Sequence, residues 1–428
     1  MSLASFADLK KIIPTDWDLV ANRSIYKERK EQNGEDENEL LSVTQDRGII
    51  KQSEYEVKKD SSNEDKSKYK VTYPNDLVYN KMRMWQGAVG YNDYKGIVSP
   101  AYIVLVPDDK KIIPKFAYYQ MKTPEYIAQS YGFSYGIVDD QNSLRYEEFR
   151  NMLTILPSRK TQQKIVNYLD KKLAKIDLFV INKETYIEKL LESKQAVIND
   201  AVVKGLDDRV ELTPALHEWA GMVPKKWKQY KLRHLVKLSP TRSASDYGIE
   251  DSVVFLPMEA VEADGTYSQE QFRPYDDVKQ GYTYFEEGDV IVAKITPCFE
   301  NGKGAFLKTL PTKFGYGTTE FHVMRPNENL ILGEYLYLYT MTHYFRTIGT
   351  AFMTGSAGQQ RISSNFVKNF PISLPEPDEQ KEILKFVRNE TKVFDKAIQK
   401  ARQQIELIKE YRNSLITNAI TGQISTEE

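Results

Sequence analysis

Lys81, Arg83 and Gln86 follow the apolar run Asp76-Leu77-Val78-Tyr79-Asn80 and lead into Gly87. Lys294, Asn301 and Lys303 follow the similar run Asp289-Val290-Ile291-Val292-Ala293 and flank Gly302. A second polar group comes later in each half: Gln141, Asn142 and Arg145, then Gln359, Gln360 and Arg361. Lysine and arginine neutralise phosphates, while Arg, Lys, Asn and Gln offer paired donors and acceptors to base edges, so the chemistry these residues could do is contact with nucleic acid. Tyr91 and Tyr135 are aromatic candidates beside the first set. For any single residue a solvated side chain is an equal reading, and the matched placement supports the groups rather than their members.

Covalent chemistry finds little footing. An adenine-modifying site needs a carbonyl acceptor and a stacking aromatic, usually as Asn/Asp-Pro-Pro-Tyr/Phe, and the nearest tetrapeptide, Ser99-Pro100-Ala101-Tyr102, lacks both the leading residue and the second proline. Gly302-Lys303-Gly304 and Gly315-Tyr316-Gly317 are fragments of a dinucleotide loop that read better as turns, and no G-x-x-x-x-G-K-[ST] phosphate loop exists. Pro377-Asp378 with Glu390-Thr391-Lys392 matches a metal-nuclease pattern on paper but falls at the start of a long helical stretch, where such carboxylates do not converge on Mg²⁺. Cys298 has no neighbouring histidine and reads as a small packed residue.

Composition narrows the class. Lys+Arg 59 against Asp+Glu 60 gives a net charge of −1, so any nucleic-acid contact must be local. One cysteine excludes a disulfide framework and fits a reducing compartment, and four scattered histidines (His217, His234, His322, His343) do not suggest a metal site. The opening segment MSLASFADLKKIIPTDW has no signal-like apolar core, and no run reaches the ~18 apolar residues of a membrane span. These features predict a soluble, cytoplasmic protein without membrane attachment.

The elements that must hold the polar groups come in two copies. A shift of 218 positions superimposes Leu156-Pro157 on Leu374-Pro375, Gln162 on Gln380, Ile165 on Ile383 and Asp177 on Asp395. It continues through Ile187/Ile405, Glu188/Glu406, Glu192/Glu410, Ile198/Ile416 and Ala201/Ala419, ten identities over positions 156 to 201. No proline or glycine interrupts 160–204, and the apolar positions have helical spacing. In heptads, Leu169, Leu173, Ile176, Val180, Ile187 and Leu190 form a seam, as do Val387, Phe394, Ile398, Ile405, Ile408 and Leu415. That narrow stripe predicts a coiled coil rather than a core helix in each of two ordinary domains, and a basic seam residue recurs in register at Lys194 and Arg412.

The stretches before the helices are rich in Tyr, Gly and Pro, with short β-branched runs between turns. They echo one another: Ile13-Pro14-Thr15-Asp16-Trp17 resembles Val223-Pro224-Lys225-Lys226-Trp227, Pro107 and Pro326 close comparable strands, and polar loops lead to Phe149 and Phe366. Segment 28–66 is acidic, with 12 Asp/Glu against 7 Lys/Arg; its outer parts read as a solvated insertion, and Leu40 to Ile50 as a strand and turn. The expected fold is α+β: two globular mixed α/β domains separated by two long antiparallel helices forming a coiled coil, with a pseudo-twofold internal duplication. The expected divisions are 1–155, 156–205, 206–372 and 373–428. A helix of about 45 residues would span ~68 Å, of the order of one to two turns of B-DNA. On geometry alone such a spacer suits either two separated DNA half-sites or two copies of a partner subunit.

The whole chain resembles the specificity (S) subunit of Type I restriction-modification systems. The resemblance rests on KITPCFENGKGAF (294–306), DLVYNKMRMWQGAVG (76–90) followed by IVSPAYIVL (97–105), GQQRISSNF (358–366), and two Leu-Pro-led helices ending in AVVKG (201–205) and AITG (419–422). It implies that each globular region is a target-recognition domain reading one half of a bipartite double-stranded DNA site. The paired helices would set the gap and dock two methyltransferase subunits, to which restriction subunits with endonuclease and translocase activity are added. It further implies no catalysis and no cofactor in this chain, with S-adenosylmethionine, ATP and Mg²⁺ on the partners that carry out adenine-N6 methylation and ATP-dependent cleavage. The length of 28–66 departs from the family pattern, and the bases read are not implied. The alternative is a bridging protein that joins two partner subunits without reading sequence.

Overall fold

The computed structural model describes residues 10–11, 13–34, 38–45, 48–54, 65–136, 142–215, 221–241, 252–356 and 358–424. Contacts divide the chain into two units, residues 1–184 with 402–428 and residues 185–401. Each unit therefore combines one head with part of each long helix.

In the first unit the strands are β1 (Asp18–Ala21), β2 (Tyr26–Arg29), β3 (Leu41–Thr44), β4 (Gly48–Lys51), β5 (Lys70–Thr72), β6 (Leu77–Asn80), β7 (Val89–Tyr91), β8 (Gly96–Val98), β9 (Tyr102–Pro107) and β10 (Leu153–Leu156). Its helices are α1 (Pro114–Met121), α2 (Pro124–Phe133), α3 (Tyr146–Phe149) and the first part of α4 (Arg159–Lys204). The central antiparallel sheet has the order β2-β9-β6-β7. Along β6 side chains alternate between its faces. Leu77 and Tyr79 enter the core beneath the helices, whereas Val78 packs with Leu41, Val43 and Ile49 of the β3/β4 hairpin. This double covering explains why β6 reads as an unbroken apolar run. It also makes Leu41, Val43 and Ile49 part of the core, while the other end of 28–66 begins in β2.

The second unit has β11 (Leu212–Pro214), β12 (Met222–Pro224), β13 (Lys228–Lys231), β14 (Val236–Leu238), β15 (Ser252–Leu256), β16 (Phe272–Pro274), β17 (Thr283–Glu286), β18 (Val290–Ala293), β19 (Gly304–Phe306), β20 (Phe314–Gly317), β21 (Phe321–Pro326) and β22 (Pro371–Leu374). Its helices are α5 (Tyr275–Val278), α6 (Gly333–Met341), α7 (His343–Ala351), α8 (Ser364–Asn369) and the first part of α9 (Pro377–Ile420). The sheet β14-β21-β18-β19 repeats the order of β2-β9-β6-β7, and β13/β22 repeats β1/β10. A four-stranded sheet, β16-β15-β20-β17, contains a parallel β15/β20 pair and lies where the first unit has the smaller β3/β4 and β5/β8 pairs. The fold is thus α+β and internally duplicated.

Small devices recur at matched places. Asp76 accepts from Tyr73 N–H and Asp289 from Glu286 N–H, both at 2.8 Å, each closing the turn before the central strand, and each carboxylate also accepts from an arginine Nε, of Arg29 or Arg325. Gln162 and Gln380 are fully buried near the helix starts. Each Nε2 donates to two carbonyls, Lys111 and Pro157 or Leu330 and Pro375, and each Oε1 accepts from one backbone N–H, of Ile113 or Leu332. Beyond the helix ends, Gly205 lies against Trp227 and Gly422 against Trp17; both glycines have positive φ, +82° and +73°. Phe149 has a different partner from the one expected: the 218 shift places it opposite Val367, both buried, and Phe366 is only partly buried beside it.

α4 and α9 run without interruption for 46 and 44 residues. In the first unit Leu169, Leu173 and Ile176 pack in one core with Leu415, Ile416 and Ala419, with Ile408 at its margin. In the second, Ile198, Ala201 and Val202 share a core with Ile383, Leu384 and Val387. Early residues of one helix meet late residues of the other in each unit, so the segments are antiparallel. Ile398 and Ile405 are buried, whereas Val180, Ile187, Leu190 and Phe394 are half-buried on the narrower middle stretch. The two basic seam residues form cross-helix ion pairs, Arg412 with Asp177 and Lys194 with Asp395 at 2.6 Å. Advancing by 218 carries Asp177 onto Asp395 and Lys194 onto Arg412, so each pair is the image of the other with its partners exchanged. No described helix is long and apolar enough to cross a membrane.

Candidate nucleic-acid interface

In each unit three segments converge where the central strand ends. In the first, Lys81 N–H donates to Ala101 O at 3.1 Å, and Lys81 O accepts from Leu144 N at 2.8 Å. In the second, Lys294 N–H donates to Glu320 O at 2.9 Å, and Lys294 O accepts from Ile362 N at 2.8 Å. Both lysines are half-buried. The late polar loop closes beside them: Tyr135 pairs with Ser143 in one unit and Thr354 with Arg361 in the other. The backbone thus brings together polar groups that lie about 60 residues apart in sequence.

A glycine-capped turn follows each lysine. Gly87 N–H reaches Met84 O at 2.8 Å and Ala88 N–H reaches Arg83 O at 3.2 Å; Gly302 to Phe299 and Lys303 to Cys298 repeat the pattern, both at 3.0 Å. The capping glycines have φ of +80° and +81°, which few other residues adopt at low cost. Met84 and Phe299 are fully buried, anchoring the turn. This register equates Gln86 with Asn301, both exposed, but places Arg83 opposite Cys298 and Lys303 opposite Ala88. Taken in order, the two sets of three therefore correspond only at Lys81 and Lys294: Arg83 does not match Asn301, nor Gln86 Lys303. Ile295 and Thr296 lengthen the second loop, and Thr296 pairs its N–H with Gln360 O at 3.0 Å.

The candidates differ in what they present. Arg83, Arg145, Gln359 and Arg361 are exposed, and Gln360 is half-buried. Gln86 meets the Gln45 amide at 3.2 Å. Lys303 is half-buried and its Nζ donates to Met258 O at 3.2 Å, so its ammonium is turned onto the protein rather than outward. Asn142 is buried, and Gln141 lies outside the described residues. Tyr91 stands opposite Leu77, at the far end of β6 from Lys81, and its hydroxyl donates to Asn75 at 2.7 Å, which removes it from the cluster. Tyr135 remains within it, 79% exposed. Trp85, on the glycine-capped turn, packs its ring 6.0 Å from that of Tyr131, which is itself exposed.

Three residues that sequence reasoning did not select shape the second cluster. Arg361 holds Glu320 through Nε and Nη2, and this guanidinium keeps the Glu320 carboxyl below its ordinary range. His322 is buried, its Nε2 lies 2.9 Å from Ile362 O, and burial lowers its pKa. Arg346 donates to Phe299 O at 2.8 Å, Gly302 O at 3.2 Å and Thr340 O at 2.8 Å, pinning the glycine-capped turn; burial pulls its pKa down to about 10, still charged at neutral pH. Ile127 packs at the corresponding turn of the first unit, against Gly87, so no repeated residue type marked Arg346 in the sequence. Among the described residues no cluster of three or more His, Cys, Asp or Glu could hold a metal. Asp378 pairs with Lys381 in the first turn of α9, whereas Glu390 and Lys392 are exposed further along that helix.

The family model for the Type I restriction modification DNA specificity domain matches residues 18–189 and 224–407. Over 162 residues the chain is 38% identical to the Type I restriction enzyme EcoEI specificity subunit of Escherichia coli and, over a stretch of the same length, 40% identical to the EcoAI specificity subunit of that organism. Each match covers 38% of this chain and spans 27% of the relative's length. A solved chain from work on complex assembly and conformational transition of the type I R-M system shares the fold at a TM-score of 0.68 and 13% identity, covering 96% of this chain and 99% of that one.

Proposed function

The chain belongs to the Type I restriction modification DNA specificity family, and we propose that it is a DNA sequence-specificity subunit whose two heads each read one half of a bipartite site. The observation that carries the reading is the junction built twice, with Lys81 and Lys294 at its centre, Gln86 and Asn301 on matched turns and a polar loop closing each side. Two copies of one device with different exposed side chains suit two half-sites of different sequence. The long helices set the gap and dock two methyltransferase subunits, to which restriction subunits are added. The chain itself carries out no covalent step and holds no cofactor; S-adenosylmethionine, ATP and Mg²⁺ belong to its partners, in the cytoplasm.

With a net charge of −1, the isolated chain is expected to bind DNA weakly and the assembled complex to bind more tightly. Co-expression with the cognate methyltransferase subunit, followed by genome-wide mapping of methylated adenines, tests the proposal. The expected result is a bipartite motif with a fixed gap that disappears when this chain is omitted. A soluble complex that neither methylates nor selects any sequence would instead support a bridging role.

A further inference from the structure

We infer that Arg361 reads a guanine in the half-site facing the second unit, with Glu320 as the positioning residue that aims its guanidinium. The inference rests on the specificity reading above and names what one side chain of that site recognises.

Arg361 Nε lies 3.0 Å from Glu320 Oε2, Nη2 lies 2.8 Å from Oε1, and Nη1 donates to Gln359 O at 3.1 Å. A guanidinium carries five N–H groups. These contacts occupy three, leaving one on each terminal nitrogen, and the side chain is 45% exposed. Two donors on one rigid fork match the O6 and N7 acceptors of guanine in the major groove. Adenine offers N7 beside an amino donor, thymine a single acceptor and cytosine a donor, so only guanine satisfies both.

The fork is also held in place. Arg361 N–H and C=O both pair with Thr354, at 2.8 and 3.0 Å, and the next residue is tied to Lys294 O and the His322 ring. A side chain fixed this way loses less freedom on binding than a free one. A carboxylate on a DNA-facing loop would repel phosphate unless it served to orient a cation, and Glu320 faces Arg361. The corresponding positions of the first unit are Ser143 and Ala101, neither of them charged. The effect is therefore confined to one half-site.

The test selects randomised duplex DNA with the complete complex of this chain and its methyltransferase subunit. The wild type is expected to require G at one position of one half-site. Arg361→Ala should lose that preference by roughly 5- to 150-fold at that position alone, the range expected for a bidentate pair. Arg361→Lys should keep binding but not the discrimination. Glu320→Gln should retain G with a narrower margin, whereas a merely structural role would weaken the whole half-site. The unchanged other half-site reports that each variant complex has assembled, and the two conservative variants carry the test if alanine prevents assembly. An unaltered motif in Arg361→Ala, or an equal loss at every position, overturns the inference while leaving the specificity reading intact. A wild-type complex without sequence preference overturns both.

Discussion

Replacing Gln380 with leucine should unsettle the second unit far more than a single polar-to-apolar change on a helix would suggest. The side chain is fully buried, and its amide satisfies Leu330 O at 2.7 Å, Pro375 O at 2.9 Å and Leu332 N–H at 2.9 Å. Leucine fills the volume but leaves one N–H and two carbonyls without these partners, and each such group costs about 1–3 kcal/mol when buried. At about 2 kcal/mol for each of the three groups, offset by up to ~3 kcal/mol from burying the leucine side chain, the net loss is about 3 kcal/mol. For a unit of this size 1 kcal/mol corresponds to roughly 2–4 °C, so its melting temperature should fall by about 6–12 °C. Calorimetry of the full chain reads this directly, and Gln162→Leu should produce the same loss in the first unit. Because the two glutamines share no hydrogen-bond partner, the double variant should show both losses together. A change below ~0.5 kcal/mol in either single variant would refute the claim that these amides fasten each helix start to its head.

Arg346→Met keeps bulk but strands the carbonyls of Thr340, Phe299 and Gly302, so it should cost roughly 2–4 kcal/mol in urea unfolding and weaken recognition of the second half-site before the first. His322 is held neutral by burial, with its folded pKa below the ordinary ~6.5, so the unfolded chain takes up the proton first. Its contribution is complete above about pH 6.5 and is lost as the pH falls below that value; His322→Gln should flatten the fall in urea midpoint between pH 7.5 and 5.5, and a slope equal to wild type would count against it. Arg412→Asp should lose about 0.3–1 kcal/mol against Asp177, and adding Asp177→Arg should restore it, as a double-mutant cycle would read. Four residues inserted at matched places in α4 and α9 lengthen each helix by ~6 Å and should widen the preferred gap by one or two base pairs in the methylation motif; an unchanged gap defeats the ruler.

The long helices, the duplication and the paired lysines were legible in the sequence because each leaves a local or periodic trace. Apolar spacing over 160–204 needs no knowledge of the rest of the chain, and identities at a constant shift of 218 survive wherever both copies face the same neighbours. Gln162 and Gln380 showed themselves as a repeated pair, yet their purpose appeared only when loops some 50 positions away closed on them. The recognition loops depend still more on distant partners. Arg361 meets Glu320 across 41 positions and Arg346 meets Phe299 across 47, and neither contact is repeated in the first unit, so no period or duplication could mark them. The two extra residues at Ile295 and Thr296 likewise carry Asn301, rather than Lys303, into the register of Gln86, a correspondence visible only once backbone pairing fixed the glycine-capped turns. The sequence by itself determined the helices, the two heads and the class of side chain that each head carries, because helical periodicity and duplication are properties of the chain taken in order. Only the tertiary structure decided which of those side chains face outward and which are turned onto the protein, because that depends on hydrogen bonds between segments remote in sequence.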